Sequence, residues 1–204
     1  LVHALKGEII FCEEYRDSSA LKGIEGFSHL WLIFDFSKAH REGFTPTLRP
    51  PRLGGNKRMG VFATRSPFRP NPIGLTSVRL LRVEETAEDG VILVVSGADL
   101  LNGTPIYDIK PYLSFSDSHP DAQCGFAQAT QDYRLEVHID DAMLATALQQ
   151  GCPWQAIHEI LSQDPRPAYQ HDPERIYHLD YADWAVDFKV DNATVCVKNI
   201  AQKP

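Results

Sequence analysis

Lys57, Arg58, Arg65, Arg69 and Arg79 are threaded through the segment 53–80 among Gly54, Gly55, Gly60, Pro67, Pro70, Pro72 and Gly74. A guanidinium donates in a planar fork that matches carboxylate and phosphate oxygens. Proline fixes φ, and glycine lets the backbone pass close to a ligand. A stiff loop that holds arginines in place therefore suits an anion or a nucleic-acid backbone. From Gly43 to Val83 there is no Asp or Glu, yet eight Lys or Arg occur, and all 27 acids of the chain lie elsewhere. With a formal net charge of −7, the chain carries this window as a positive island on an acidic background. That balance argues mildly against general nucleic-acid affinity but not against one specific RNA contact. The competing reading is a solvated, proline-rich crossover between strands, and composition alone weighs the two equally.

Further groups cluster in short motifs. Arg69 and Asn71 lie in FRPNP, Asp108, Lys110 and Tyr112 in YDIKPYL, and Arg166 and Tyr169 in DPRPAY. Cations suit phosphate, and a tyrosine can stack on an unstacked base. Asp108 and Lys110, two apart on one strand, are equally an ion pair, and DPRPAY is equally a rigid helix stop. The chain has no GxGxxG and no βαβ alternation, so a Rossmann-type nucleotide site is not indicated. Four scattered cysteines without a CxxC and eight scattered histidines give no zinc pattern and read as the reduced thiols of a cytoplasmic protein. No run of eighteen apolar residues marks a membrane span.

MGVFATRSPFRPNPIGLTSVRL, DLLNGTPIYDIKPYL and DPRPAY, in that order, are similar to the TrmO family across nearly the whole chain. The resemblance implies an S-adenosylmethionine-dependent tRNA methyltransferase acting on N6 of threonylcarbamoyl-adenosine beside the anticodon. It also implies an antiparallel β-barrel rather than a Rossmann sheet as the cofactor scaffold, a homodimer whose second protomer contributes to the pocket, and no metal. Carried over by position, the cofactor residues are Ser37, Lys38, Arg65, Leu75, Asp99, Leu100, Leu101 and Asn102. Arg65 would pair with the methionyl carboxylate, and Asp99 would accept from hydroxyls or amines. Ser37 and Lys38 stand where some members have His-Gln, so contact there would run through the backbone. Asn102 replaces an acid of some relatives. RNA would be met by Arg69, Asn71, Lys110, Tyr112, Arg166 and Tyr169. Asp99 and Asp108 are the candidates for a base that removes the N6 proton, and positioning alone could suffice. Family members also carry an extra first strand and a Pro-Arg-Gln segment, which this sequence is expected to lack.

The elements that would hold these residues can be read from periodicity. Short β-rich runs at 8–12, 28–36, 59–64, 75–85, 91–96, 106–109 and 112–115, punctuated by turns such as Glu88-Asp89-Gly90 and Asn102-Gly103, predict an antiparallel barrel. Along 75–85 the inward positions change phase, which predicts a bulge. After a polar link at 117–123 the pattern becomes α+β. A strand is expected at 133–139, and helices at 140–149 and 153–163, the first opened by Asp140 or Asp141 and closed by Gly151. Three strands follow at 175–179, 185–190 and 194–200. The fold class is mostly β, with a barrel domain at 1–123 and a small α+β domain at 124–204 that contacts tRNA. Two rivals remain open: a non-catalytic RNA-binding barrel, and a methyltransferase of the same fold with another substrate.

Overall fold

The longest strand, β5 (Ile73–Thr86), serves two neighbours in turn. Its first half pairs antiparallel with β2 (His29–Asp35), from Asp35↔Ile73 to His29↔Arg79. Its second half pairs with β6 (Gly90–Ser96), and the register slips between Leu80 and Arg82. This is the bulge expected from the phase change; the hand-over itself falls at Arg79, which pairs with His29 on one side and Ser96 on the other. With β1 (Lys6–Ile10) beside β6 and β7 (Ile106–Pro111) beside β2, the order is β1-β6-β5-β2-β7. The sheet curls enough that Ile9 of one edge shares a core with Ile106 and Ile109 of the other, around Leu30, Leu32, Val78, Leu93 and Val95. Among the described residues, however, β1 and β7 are not hydrogen-bonded to each other, and no sheet is closed into a barrel.

The computed structural model describes residues 5–50, 57–130, 132–166 and 172–203. They form two compact units. One contains residues up to Leu48 and from Met59 to Ala122; the other contains Gln123 onward together with 49–50 and 57–58. In the second unit β8 (Glu136–His138), β9 (Tyr177–Tyr181), β10 (Trp184–Asp191) and β11 (Thr194–Gln202) form a sheet of order β8-β11-β10-β9. Edge strand β8 runs parallel to β11. Alternation in β10 turns Trp184, Val186, Phe188 and Val190 inward. They pack with Ala147 of α2 (Asp141–Gln149) and with Ile157 and Leu161 of α3 (Trp154–Ser162). Asp140 caps α2 by accepting from the amides of Ala142 and Met143, both at 3.0 Å.

Two expected strands differ. The run at 59–64 pairs only through β4 (Met59–Gly60), against β3 (Thr47–Leu48), and then tightens into a 3-10 turn at Val61–Ala63. The Thr64 hydroxyl closes that turn on the Val61 carbonyl at 2.9 Å. At 112–115 there is no strand. The chain folds back into the one-turn helix α1 (Ser114–Asp117), because the Asp117 carboxylate accepts from the Leu113 amide at 2.9 Å and the Trp31 indole N–H at 2.8 Å. The Leu113 amide first, then the Trp31 bond, holds that carboxyl below its ordinary pKa.

Gly74 faces Phe34 across the β5–β2 ladder, and a Cβ there would overlap the Phe34 ring. Phe34 is buried and packs edge-on against Phe36 at 5.1 Å between centroids. The ring, packed against Phe36, must shift to admit the methyl, so Gly74→Ala is expected to cost about 1–3 kcal/mol. Urea unfolding checks this: the midpoint should fall for Gly74→Ala and stay close to wild type for alanine at Gly26, where a Cβ meets nothing within 4 Å.

Candidate functional site

Three loops meet where β2 ends. The chain leaves β2 through Phe36–Ala39, where the Ala39 amide bonds the Phe36 carbonyl at 2.7 Å. The Phe36 amide bonds the Pro72 carbonyl at 2.8 Å, which ties in the proline loop before β5. The Asp35 amide bonds the Pro105 carbonyl at 2.9 Å, which ties in the segment between β6 and β7. That segment turns at Gly103, with φ of +74°, and the Thr104 hydroxyl closes the turn on the Leu101 carbonyl at 2.6 Å. The loops enclose a cleft of about 240 Å³, lined by Phe34–Ala39, Pro67, Phe68, Asp99–Leu101 and Thr104. Its walls are largely aromatic and aliphatic, with two carboxylates, Asp35 and Asp99.

Of the expected cofactor residues, Ser37, Lys38, Asp99, Leu100 and Leu101 line this cleft. They come from two segments about sixty residues apart, brought together by the β2–β7 pairing. Arg65, Leu75 and Asn102 are exposed and lie outside its lining. Leu75 sits on β5 opposite Ile33. Asn102 occupies the turn next to Leu101.

A second pocket, of about 480 Å³, adjoins the cleft and shares Ala39 and Phe68 with it. It runs from Ala39 to Thr45, includes Thr47 and Leu48, and is completed by Ser66, Phe68–Pro70 and Pro72. Arg69 lines this pocket and also donates to the Thr64 carbonyl at 3.2 Å. Asn71 is exposed, and its carbonyl accepts from the Ile73 amide at 2.7 Å.

Asp35 carries little sequence signal of a site, because it sits inside the apolar run SHLWLIFDF, which reads as core. In the structure its side chain is 13% exposed and accepts from His40 Nε2 at 2.7 Å. Desolvation, and then the charge of Asp35 and a hydrogen bond to it, raise the pKa of the Tyr107 hydroxyl. A single polar residue at the end of a strand otherwise alternating into a core was the available signal.

The other candidates are spoken for locally. Asp108 pairs with Lys110 at 2.8 Å, and that bond first of all lowers its pKa. Neither residue lines either pocket. Tyr112 is half-buried against Trp31, at 5.5 Å, and His29, at 6.2 Å. Arg166 is only 7% exposed at its side chain, and Asp164 18%. Its Nε and a terminal nitrogen reach the two Asp164 oxygens at 2.7 and 2.9 Å, and the Tyr133 hydroxyl donates to Asp164 at 3.2 Å. The guanidinium thus clamps the turn at Asp164–Arg166, with Asp164 at a left-handed φ of +55°. Tyr169 lies outside the described residues. Among the described residues, no group of three or more His, Cys, Asp and Glu could hold a metal ion.

A curled antiparallel sheet with a cleft at the end of β2, followed by an α+β unit, is an architecture distinct from the Rossmann sheet. Residues 1–118 match the tRNA-methyltransferase O N-terminal domain, and residues 132–203 match the TrmO C-terminal domain. The chain belongs to the TrmO family. It is 48% identical to a tRNA (adenine(37)-N6)-methyltransferase of Eikenella corrodens, covering 85% of this chain and 97% of that one. It is 44% identical to the Escherichia coli K12 protein of the same name, covering 93% and 81%. A Pyrococcus abyssi relative, 42% identical over 61% of this chain and 62% of its own, is named "Probable S-adenosyl-L-methionine-binding protein". The crystal structure of TrmO from Pseudomonas aeruginosa superposes with a TM-score of 0.74 at 30% identity, covering 98% of this chain and 86% of that one.

The Asp164–Arg166 clamp generates a prediction about acid stability. Burial raises the Asp164 pKa, but the Arg166 hydrogen bonds and charge outweigh it and leave the carboxyl below its ordinary value. The clamp's contribution is therefore complete above the ordinary carboxylate range near 4, and is lost as pH falls through the depressed native value. Arg166→Ala should cost about 2 kcal/mol at neutral pH. Asp164→Asn should flatten the acid limb of a stability–pH curve followed by denaturant unfolding.

Proposed function

We propose that this chain is an S-adenosylmethionine-dependent tRNA methyltransferase that methylates N6 of adenine 37, in its threonylcarbamoyl form. One observation carries the reading: Ser37, Lys38, Asp99, Leu100 and Leu101 share one cleft in a chain that belongs to the TrmO family. The cleft's residues fit the cofactor. Phe34, Phe36, Phe68, Leu100 and Leu101 offer apolar walls for an adenine, and Asp99 offers a carboxylate to hydroxyls or an ammonium. When bound, the cofactor supplies an electrophilic methyl on a sulfonium, which leaves as a neutral thioether.

The chain's own part is to orient the target nitrogen and to take its proton. Asp99 is better placed for this than Asp108, because Asp99 lines the cleft. Asp108 lies outside that lining, and Lys110 holds it ionised as a weaker base. Exposed Arg65, which has no hydrogen bond or ion pair among the described residues, is the proposed partner of the methionyl carboxylate.

The finer reading includes a homodimer, a closed barrel and a cytoplasmic location. Ile73 and Leu75 of β5 and Tyr107 of β7 are large apolar side chains left exposed on the two strands that flank β2, and a second protomer would cover them. The shared core of the two sheet edges supports a barrel-like domain, with 124–204 assisting the grip on tRNA. Acting on tRNA is consistent with the cytoplasm. Among the described residues no helix is long and apolar enough to cross a membrane.

Mass spectrometry of tRNA nucleosides after incubation with the chain and cofactor tests the activity. A mass gain of one methyl on threonylcarbamoyl-adenosine is expected. Unchanged tRNA despite tight tRNA binding would favour the non-catalytic rival, and a methyl gain elsewhere would favour the other substrate. Arg65→Ala is expected to weaken cofactor affinity about tenfold or more, read by isothermal titration. Unaltered affinity would remove Arg65 from the site.

A further inference from the structure

The second pocket is not assigned by the cofactor reading, yet it is built against the cofactor cleft. Phe68 and Ala39 belong to both walls. Asp35 faces the cleft and His40 faces the pocket, and the two are joined at 2.7 Å. A group lying in one cavity is therefore one side chain away from a group lying in the other.

The pocket's surface has the chemistry of an unpaired nucleotide. Phe44 and Phe68 are large aromatics left exposed. The Arg41 guanidinium lies 3.6 Å from the Phe68 ring centroid, and Arg69 lies 5.9 Å from that of Phe62. Exposed aromatic rings beside guanidinium groups, one of them already stacked by Arg41, can stack bases and pair with oxyanions. His40, Arg41 and Arg69 stand against one acid, Glu42, among the residues lining it.

The loop that carries Phe68 and Arg69 is held before any ligand arrives. The Ser66 amide bonds the Thr64 hydroxyl at 3.4 Å, and the Phe68 amide bonds the Ser66 hydroxyl at 3.2 Å. The Val61 amide is tied to the Pro46 carbonyl at 2.9 Å. Such a surface loses little entropy on binding.

We propose that this pocket is the target-nucleotide subsite, taking one unstacked purine nucleotide on Phe44 and Phe68 with an oxyanion of that nucleotide at Arg41 and Arg69. The oxyanion is either the carboxylate of the threonylcarbamoyl arm or a backbone phosphate. The proposal rests on the methyltransferase reading above and adds the place and the residues that receive the substrate. The shared wall gives it mechanistic sense, because methyl transfer needs donor and acceptor atoms in contact and in line.

The test uses the full chain as wild type, Arg41→Gln and Phe44→Ala. Both altered residues line the second pocket and not the cleft. Methylation kinetics on tRNA bearing threonylcarbamoyl-adenosine should show KM for tRNA raised about tenfold in each variant. Titrated cofactor affinity should stay within about twofold of wild type. Competition by the free threonylcarbamoyl nucleoside against tRNA, lost in Arg41→Gln, would assign the carboxylate as the anion. Failure to compete, with KM still raised, would assign phosphate. Wild-type KM in both variants overturns the subsite and leaves the methyltransferase reading standing. A wild-type chain that leaves the tRNA unmethylated overturns both.

Discussion

One strand serving two neighbours is the constraint on which the N-terminal unit depends. β5 is long enough to pair with β2 and then with β6, and the two ladders overlap at Arg79, just before the slip between Leu80 and Arg82. Leu30 and Leu32 of β2 thereby share an interior with Leu93 and Val95 of β6. The ladder then places Phe34 over Gly74, which seats the ring at the head of β2 and defines the cleft beside it. The site is thus a by-product of how the sheet bends: the loops collect at one end because the strands that carry them are held in this order.

Much of this was legible from periodicity. The apolar run at 28–36, the strand at 185–190, the phase change in β5, and the Asp140 cap with Gly151 at the far end are local signals, and local geometry honoured them. Where tertiary bonds competed, the sequence signal lost. The aromatic run at 112–115 reads as a strand, but the Asp117 carboxylate, held by Trp31 from a distant strand, folds it back. The same reasoning hides Asp35. An acid inside an apolar run looks like an interruption of a core strand. Only the assembled site shows that it faces His40 and Tyr107.

Charge followed a similar rule. The acid-free window was readable as a concentration of positive charge, but how each cation is used depends on its reach. Arg69 divides itself between a backbone carbonyl and its pocket. Lys110 spends its charge on the carboxylate two residues away. Arg166, outside the window, lies beneath the surface as a brace. Spacing along a chain cannot separate a cation that braces from one that faces solvent, because the difference lies in burial and in the nearest acid.

The wall common to the two cavities has a thermodynamic consequence. Phe68 lines both cavities, and Asp35 of one is bonded to His40 of the other. Any occupant that shifts either element on one side changes the free energy of occupancy on the other. Linkage requires that change to be the same in both directions. If donor and acceptor occupy these two cavities as proposed, their affinities form a coupled pair, and each constant carries with it the occupancy of the opposite cavity.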